Sequence, residues 1–117
     1  MNINIKKLTA SAKIPEIQTS GSAGADLHAC IDKDVIIRTG DTVKIPTGIA
    51  MAIPEGYGGF IFARSGLATK KGLAPANKVG VIDSDYRGEI IVALHNHSNE
   101  IQADLEVQGS KIYGITF

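Results

Sequence analysis

Cysteine, aromatic side chains and net charge are all scarce in this sequence. Cys30 is the one cysteine, so no disulfide can close within the chain. With no basic and apolar leader at its start, the chain is expected in a reducing, cytoplasmic setting. Tryptophan is absent and aromatic residues make up 5% of the chain. Twelve Lys and Arg balance twelve Asp and Glu, which gives no general attraction to nucleic acid or to anionic membranes. Any anion site must therefore come from a local cluster. No apolar run approaches the roughly 20 residues that cross a bilayer as a helix.

What is abundant is punctuation. Thirteen glycines and four prolines break the 117 residues into short runs that are β-branched or alternate apolar with polar, the pattern of strands. Strands are predicted over Ile3–Lys6, Asp34–Arg38, Thr42–Ile45, Ile49–Ile53, Gly59–Ala63, Val79–Ile82, Glu89–Leu94 and Lys111–Phe117. One short helix is predicted over Ser65–Lys71, capped by Ser65 and limited by Gly66 and Gly72. The length predicts one domain, residues 1–117, and the many short strands indicate a β-sandwich, jelly roll or small barrel. No internal repeat or linker interrupts it. Phe117 closes an apolar run with no polar tail, so either that end is tucked under a neighbour or a segment is missing.

Three clusters carry candidate chemistry. In the densest, Val79-Gly80-Val81-Ile82-Asp83-Ser84-Asp85-Tyr86-Arg87-Gly88-Glu89, an apolar run meets two carboxylates, a tyrosine and an arginine. It reads either as a solvated turn, with Gly88 at positive φ, or as the seat of a general base whose basicity rises with partial burial. Asp83 suits that role better than Asp85 because it directly follows the apolar run. The second cluster, Ala63-Arg64-Ser65-Gly66-Leu67, offers a guanidinium, a hydroxyl and backbone amides that fit phosphate oxygens. Its plainer reading is a surface turn with Arg64 in a rim ion pair. Lys70, Lys71 and Lys78 add positive charge nearby. The third, Thr19 to Leu27, is a small-residue loop leading into Asp26, either a turn residue or an outer-shell support for hydrated Mg²⁺.

Other groups signal less. His95 and His97 share a strand spacing but have no third ligand at a supportive distance. Gly56-Tyr57-Gly58-Gly59 has the composition of a phosphate loop without a helix after it, and is read as a hairpin turn. Cys30 has no base partner and is read as a packed thiol.

In order and spacing these clusters resemble the trimeric dUTPase family. Ser20 to Leu27 is similar to its first motif, Arg64-Ser65-Gly66-Leu67-Ala68 to its second and Asn77 through Gly88 to its third, with Pro46-Thr47-Gly48 and Pro54-Glu55-Gly56-Tyr57 matching the framework between them. The resemblance implies a β-sandwich or jelly-roll-like (β-clip) subunit in a homotrimer with active sites between subunits. It implies dUTP as substrate, hydrolysed to dUMP and pyrophosphate, and Mg²⁺ as cofactor. Asp83 would deprotonate the water that attacks the α-phosphorus, and Arg64, Ser65 and Gly66 would hold phosphate oxygens. Asn77 and the backbone of Val81, Ile82 and Asp83 would read the uracil edge, and Tyr86 would pack on the deoxyribose. Asp26 would reach the metal through water.

Two departures qualify that reading. The family's fourth motif is replaced by Gly109-Ser110-Lys111-Ile112-Tyr113-Gly114, and the glycine-rich fifth motif does not occur before Phe117. A missing lid would lower turnover. The alternative is therefore a catalytically impaired nucleotide- or partner-binding regulatory homologue. A relative of dCTP deaminases is a further possibility, disfavoured by Gly66.

Overall fold

Short runs rich in β-branched residues and closely bounded by glycine or proline are too short for stable helices, and among the described residues the regular structure is almost entirely strand. The computed structural model describes residues 1–98, 102–105 and 111–117. In chain order the elements are β1 Asn4–Lys7, β2 Ala25–His28, β3 Val35–Arg38, β4 Thr42–Ala52, β5 Gly59–Ala63, α1 Ser65–Lys71, β6 Leu73–Pro75, β7 Gly80–Ile82, β8 Glu89–Asn96, β9 Gln102–Leu105 and β10 Lys111–Thr116. They form a sheet of order β1-β4-β8-β6, a second of order β2-β10-β5-β7 and a two-stranded pair β3-β9. Every pairing is antiparallel. The all-β architecture expected from the sequence is what forms.

The core between the sheets is aliphatic, as the low aromatic content requires. Leu27, Ile37, Ile45, Ile49, Ile53, Leu73, Leu94 and Ile115 are fully buried, each contributing about 1.5–3 kcal/mol of transfer free energy. Strand β8 shows how the pattern works: Ile90, Val92 and Leu94 point inward while Ile91 faces out. Phe60 and Phe62, two of the three phenylalanines, lie outward on β5 instead. Among the described residues no helix is long and apolar enough to cross a membrane.

The structure corrects several boundaries. The segments predicted as Thr42–Ile45 and Ile49–Ile53 form one strand, β4, because Pro46-Thr47-Gly48 bulges without breaking it. Strands β2, β6 and β9 carry no strand prediction; each is three or four residues long, too short for alternation to register. The helix spans the predicted residues, yet Arg64 rather than Ser65 is its N-cap, and Gly72 closes it at φ 69°. Gly109 and Ser110 of the altered fourth motif lie outside the described residues, as do 101 and 106–108.

The bulge has a clear cause. Between the pairs Pro46↔Ile91 and Ala50↔Glu89, β4 advances four residues while β8 advances two. Gly48 adopts φ +70°, and a Cβ there would stand 2.9 Å from Ala12 Cβ and 3.0 Å from Cys30 Sγ. Left-handed strain and overpacking add, so Gly48→Ala should destabilise the protein by roughly 2–4 kcal/mol. Urea unfolding checks this. Gly21→Ala is the control, because a Cβ there meets nothing within 4 Å, and it should leave the midpoint nearly unchanged.

Candidate active site

The third-motif segment folds as a turn between β7 and β8, stiffened by its own hydrogen bonds. Tyr86 N donates to Asp83 O at 3.1 Å, Arg87 Nη1 donates to the carbonyls of Ser84 and Tyr86, and Tyr86 Oη donates to Glu89 O at 2.8 Å. Gly88 is not in the left-handed region; its lack of a side chain matters for another reason. A Cβ at that position would lie 2.6 Å from Tyr86 Oη, so only glycine lets the phenol fold back over the turn.

This turn walls a cleft of about 210 Å³ lined by Ile61, Asn77, Gly80, Val81, Ile82, Asp83, Tyr86, Glu89, Ile90 and Ile91. Its floor is the buried Ile61, Ile82 and Ile90. Asn77, Asp83, Tyr86 and Glu89 supply polar groups at its margin. Lys78, at φ 66°, turns the chain from β6 into β7 and so helps present Asn77. Gly80 packs closely on the floor, since a Cβ there would come within 3.3 Å of Ile61 Cβ. Strand β7 ends its sheet among the described residues, so its outward backbone groups face no ladder partner and can meet the edge of a planar polar ring. An apolar floor with a few convergent polar groups is the usual form of a small-molecule site.

Asp83 lies in this cleft, whereas Asp85 lines a separate depression with Ile53, Glu55, Ser84 and Arg87. The expected partial burial is not found: Asp83 is exposed, at the end of β7, which is an edge strand among the described residues.

The first and second motifs meet elsewhere. Arg64 Nη1 donates to Asp26 Oδ1 at 2.5 Å, with side chains 38% and 13% exposed respectively. The register explains the contact. Gly114 of β10 pairs with Asp26 on one side and Phe62 on the other, which brings β2 and the end of β5 to either side of β10, where Asp26 and Arg64 meet. Sequence reasoning put both residues near phosphate but missed that they pair. Gly24 tightens the same corner, since a Cβ there would be 2.6 Å from Ile115 O. Ser65 and Gly66 follow Arg64 as exposed residues at the start of α1, and a Cβ at Gly66 would meet nothing within 4 Å. The ground beside the guanidinium is open.

The two halves lie at opposite ends of one strand. Gly59 pairs with Ile82 and Ile61 with Gly80, so Asp83 stands beyond the first residue of β5, and Arg64 follows its last. At about 3.4 Å per residue the separation is roughly 17–20 Å. Within a single chain the structure does not bring the candidate base and the candidate phosphate-binding turn together.

The weaker candidates resolve simply. His95 Nδ1 bonds Thr42 Oγ1 at 2.9 Å, His97 lies past the end of β8, and no group of three His, Cys, Asp or Glu among the described residues has the arrangement of a metal site. Cys30 is half-buried, with its thiol within hydrogen-bonding reach of Thr9 and Ser11. Pro54 to Tyr57 forms a turn, with Gly56 at φ 88°. Glu89 also lines the cleft, and the sequence assigned it no role.

Comparison with known proteins bears directly on these motifs. A family model described as dUTPase matches residues 10–107. The deoxyuridine 5'-triphosphate nucleotidohydrolase of Desulfitobacterium hafniense is 58% identical over 89 residues, covering 75% of this chain and 59% of that protein. Its namesake in Nautilia profundicola is 53% identical over 100 residues, covering 86% and 69%. The chain thus spans about three-fifths to two-thirds of the length of these relatives. Among solved structures, the dUTPase of Streptococcus mutans superposes with a TM-score of 0.81 at 28% identity, covering 96% of this chain and 91% of that one. The dUTPase of Staphylococcus aureus phage phi11 shares the fold at a TM-score of 0.86 and 23% identity, covering 99% and 88%. With a family model matched over residues 10–107 and relatives 53–58% identical, the chain belongs to the dUTPase family.

Proposed function

We propose that the protein is a dUTP diphosphatase that hydrolyses dUTP to dUMP and pyrophosphate in a cytoplasmic setting, supplying dUMP for dTTP synthesis and keeping uracil out of DNA. The observation that carries the reading is the placement of the cleft holding Asp83 and the Arg64–Asp26 pair at opposite ends of β5. One chain holds both halves of a site but cannot close them on one nucleotide. A homotrimer in which the cleft of one copy faces the Arg64 turn of the next would close them, and symmetry would then make three sites.

In that arrangement the uracil enters the cleft, its edge read by Asn77 and by the backbone of Val81, Ile82 and Asp83. Tyr86 packs on the deoxyribose and leaves no room for a 2′-hydroxyl. Asp83 takes a proton from a water whose oxygen bonds to the α-phosphorus in line, while the bond from that phosphorus to the α–β bridging oxygen breaks and pyrophosphate leaves. Arg64, Ser65 and the backbone at Gly66 meet the charge that builds on the phosphate oxygens.

Mg²⁺ fits the donor set as a hydrated ion. Asp26 offers a carboxylate beside Arg64, and with no protein ligand set among the described residues, the triphosphate itself would supply most of the coordination. When bound, the ion offsets phosphate charge and orders the chain of phosphates.

The test is pyrophosphate release by the full protein from dUTP with Mg²⁺, run beside UTP and dCTP. Turnover of dUTP is expected, with UTP disfavoured on the order of 10²-fold by its added hydroxyl. Ammonia release from dCTP, or tight dUTP binding without product, would contradict it.

A further inference from the structure

The β4 bulge and the catalytic turn are joined through one residue. A regular ladder between β4 and β8 is impossible where β4 carries two extra residues, so backbone groups there need other partners. Two side chains supply them. Thr47 Oγ1 donates to Ile90 O at 2.6 Å in the buried interior, and Gly48 N donates to Glu89 Oε2 at 3.0 Å. From the other side Leu8 N donates to Gly48 O at 2.7 Å. The same Glu89 accepts the Tyr86 phenol on its main-chain carbonyl at 2.8 Å and lines the cleft.

We infer that Glu89 is a positioning residue for the nucleotide site: its carboxylate ties its own backbone to the Gly48 amide in the β4 bulge, and its carbonyl fixes the phenol of Tyr86 at the sugar end of the cleft. Glu89 need not touch the substrate. It acts through Tyr86, and so on the choice between deoxyribose and ribose, an assignment that rests on the proposed function above. Gly88 cooperates, because the phenol can reach the Glu89 carbonyl only over a residue without a side chain.

The test uses three variants of the full protein. Glu89→Asp keeps the charge but is one methylene too short to hold Gly48 N, and should lower the preference for dUTP over UTP about tenfold, the value of one hydrogen bond. Glu89→Ala should lower it at least as far. Glu89→Gln retains an acceptor of full length and should restore the preference to within about twofold. A structural role alone would shift unfolding midpoints in Asp and Ala without changing the ratio of kcat/KM values, and that result would overturn the inference. NMR gives a readout free of turnover: the Tyr86 ring resonances should move together with the Gly48 amide in Glu89→Asp. If the wild-type protein fails to turn over dUTP, the functional reading falls, while tyrosine resonances that stay fixed as the Gly48 amide moves would separately refute the coupling.

Discussion

Asp83→Asn should lower kcat for dUTP by roughly 10²–10⁴-fold, the range that a general base contributes, with KM and nucleotide affinity close to wild type. The substitution keeps shape and leaves the backbone untouched. The Asp83 carbonyl still accepts from Tyr86 N and the turn keeps its Arg87 bonds, so the cleft should stay intact. What is lost is the carboxylate that, in the proposed mechanism, would take the proton from the attacking water. Single-turnover pyrophosphate release with Asp83→Asn, alongside calorimetric binding of a non-hydrolysable dUTP analogue, separates the two effects. Asp85→Asn is the matched comparison. It lines a different depression and should retain most of the activity. If both variants behave alike, the base lies elsewhere.

Much of this fold could be read from spacing. The helix Ser65–Lys71 was bounded by glycine and coincides with α1, and β5 coincides with Gly59–Ala63. The alternation in Glu89–Leu94 marked the inward face of β8, although the strand itself runs on to Asn96. Failures came where length or local chemistry hid the signal. Strands β2 and β6 are too short to alternate visibly. The bulge at Pro46-Thr47-Gly48 looked like a break, because a sequence does not show that Thr47 and Glu89 replace the missing ladder bonds.

The candidate site was legible in its residues and not in its geometry. The apolar run before it distinguishes Asp83 from Asp85 in the sequence, and the two residues line different depressions. The Arg64–Asp26 contact depends on β2 and β5, far apart in the chain, both pairing with β10, an arrangement that no local pattern encodes. The expected burial of Asp83 is not met because it follows β7, an edge strand among the described residues, and an apolar run does not show whether its strand lies inside a sheet or at its edge. Glu89 was passed over because a glutamate after a turn glycine looks like any solvated residue until its carboxylate is found on a backbone amide.

The central claim is that each working site takes Asp83 from one copy and Arg64 from another, and complementation tests it most directly. Asp83→Asn and Arg64→Ala proteins, each near inactive, are mixed in equal amounts, dissociated and reassembled. Each site then pairs one copy's Arg64 turn with another's Asp83 cleft, and random assembly gives half a chance for each intact half. About a quarter of wild-type dUTP turnover should return. Mixtures that remain as inactive as their parents, although mixed oligomers are present, would contradict the account.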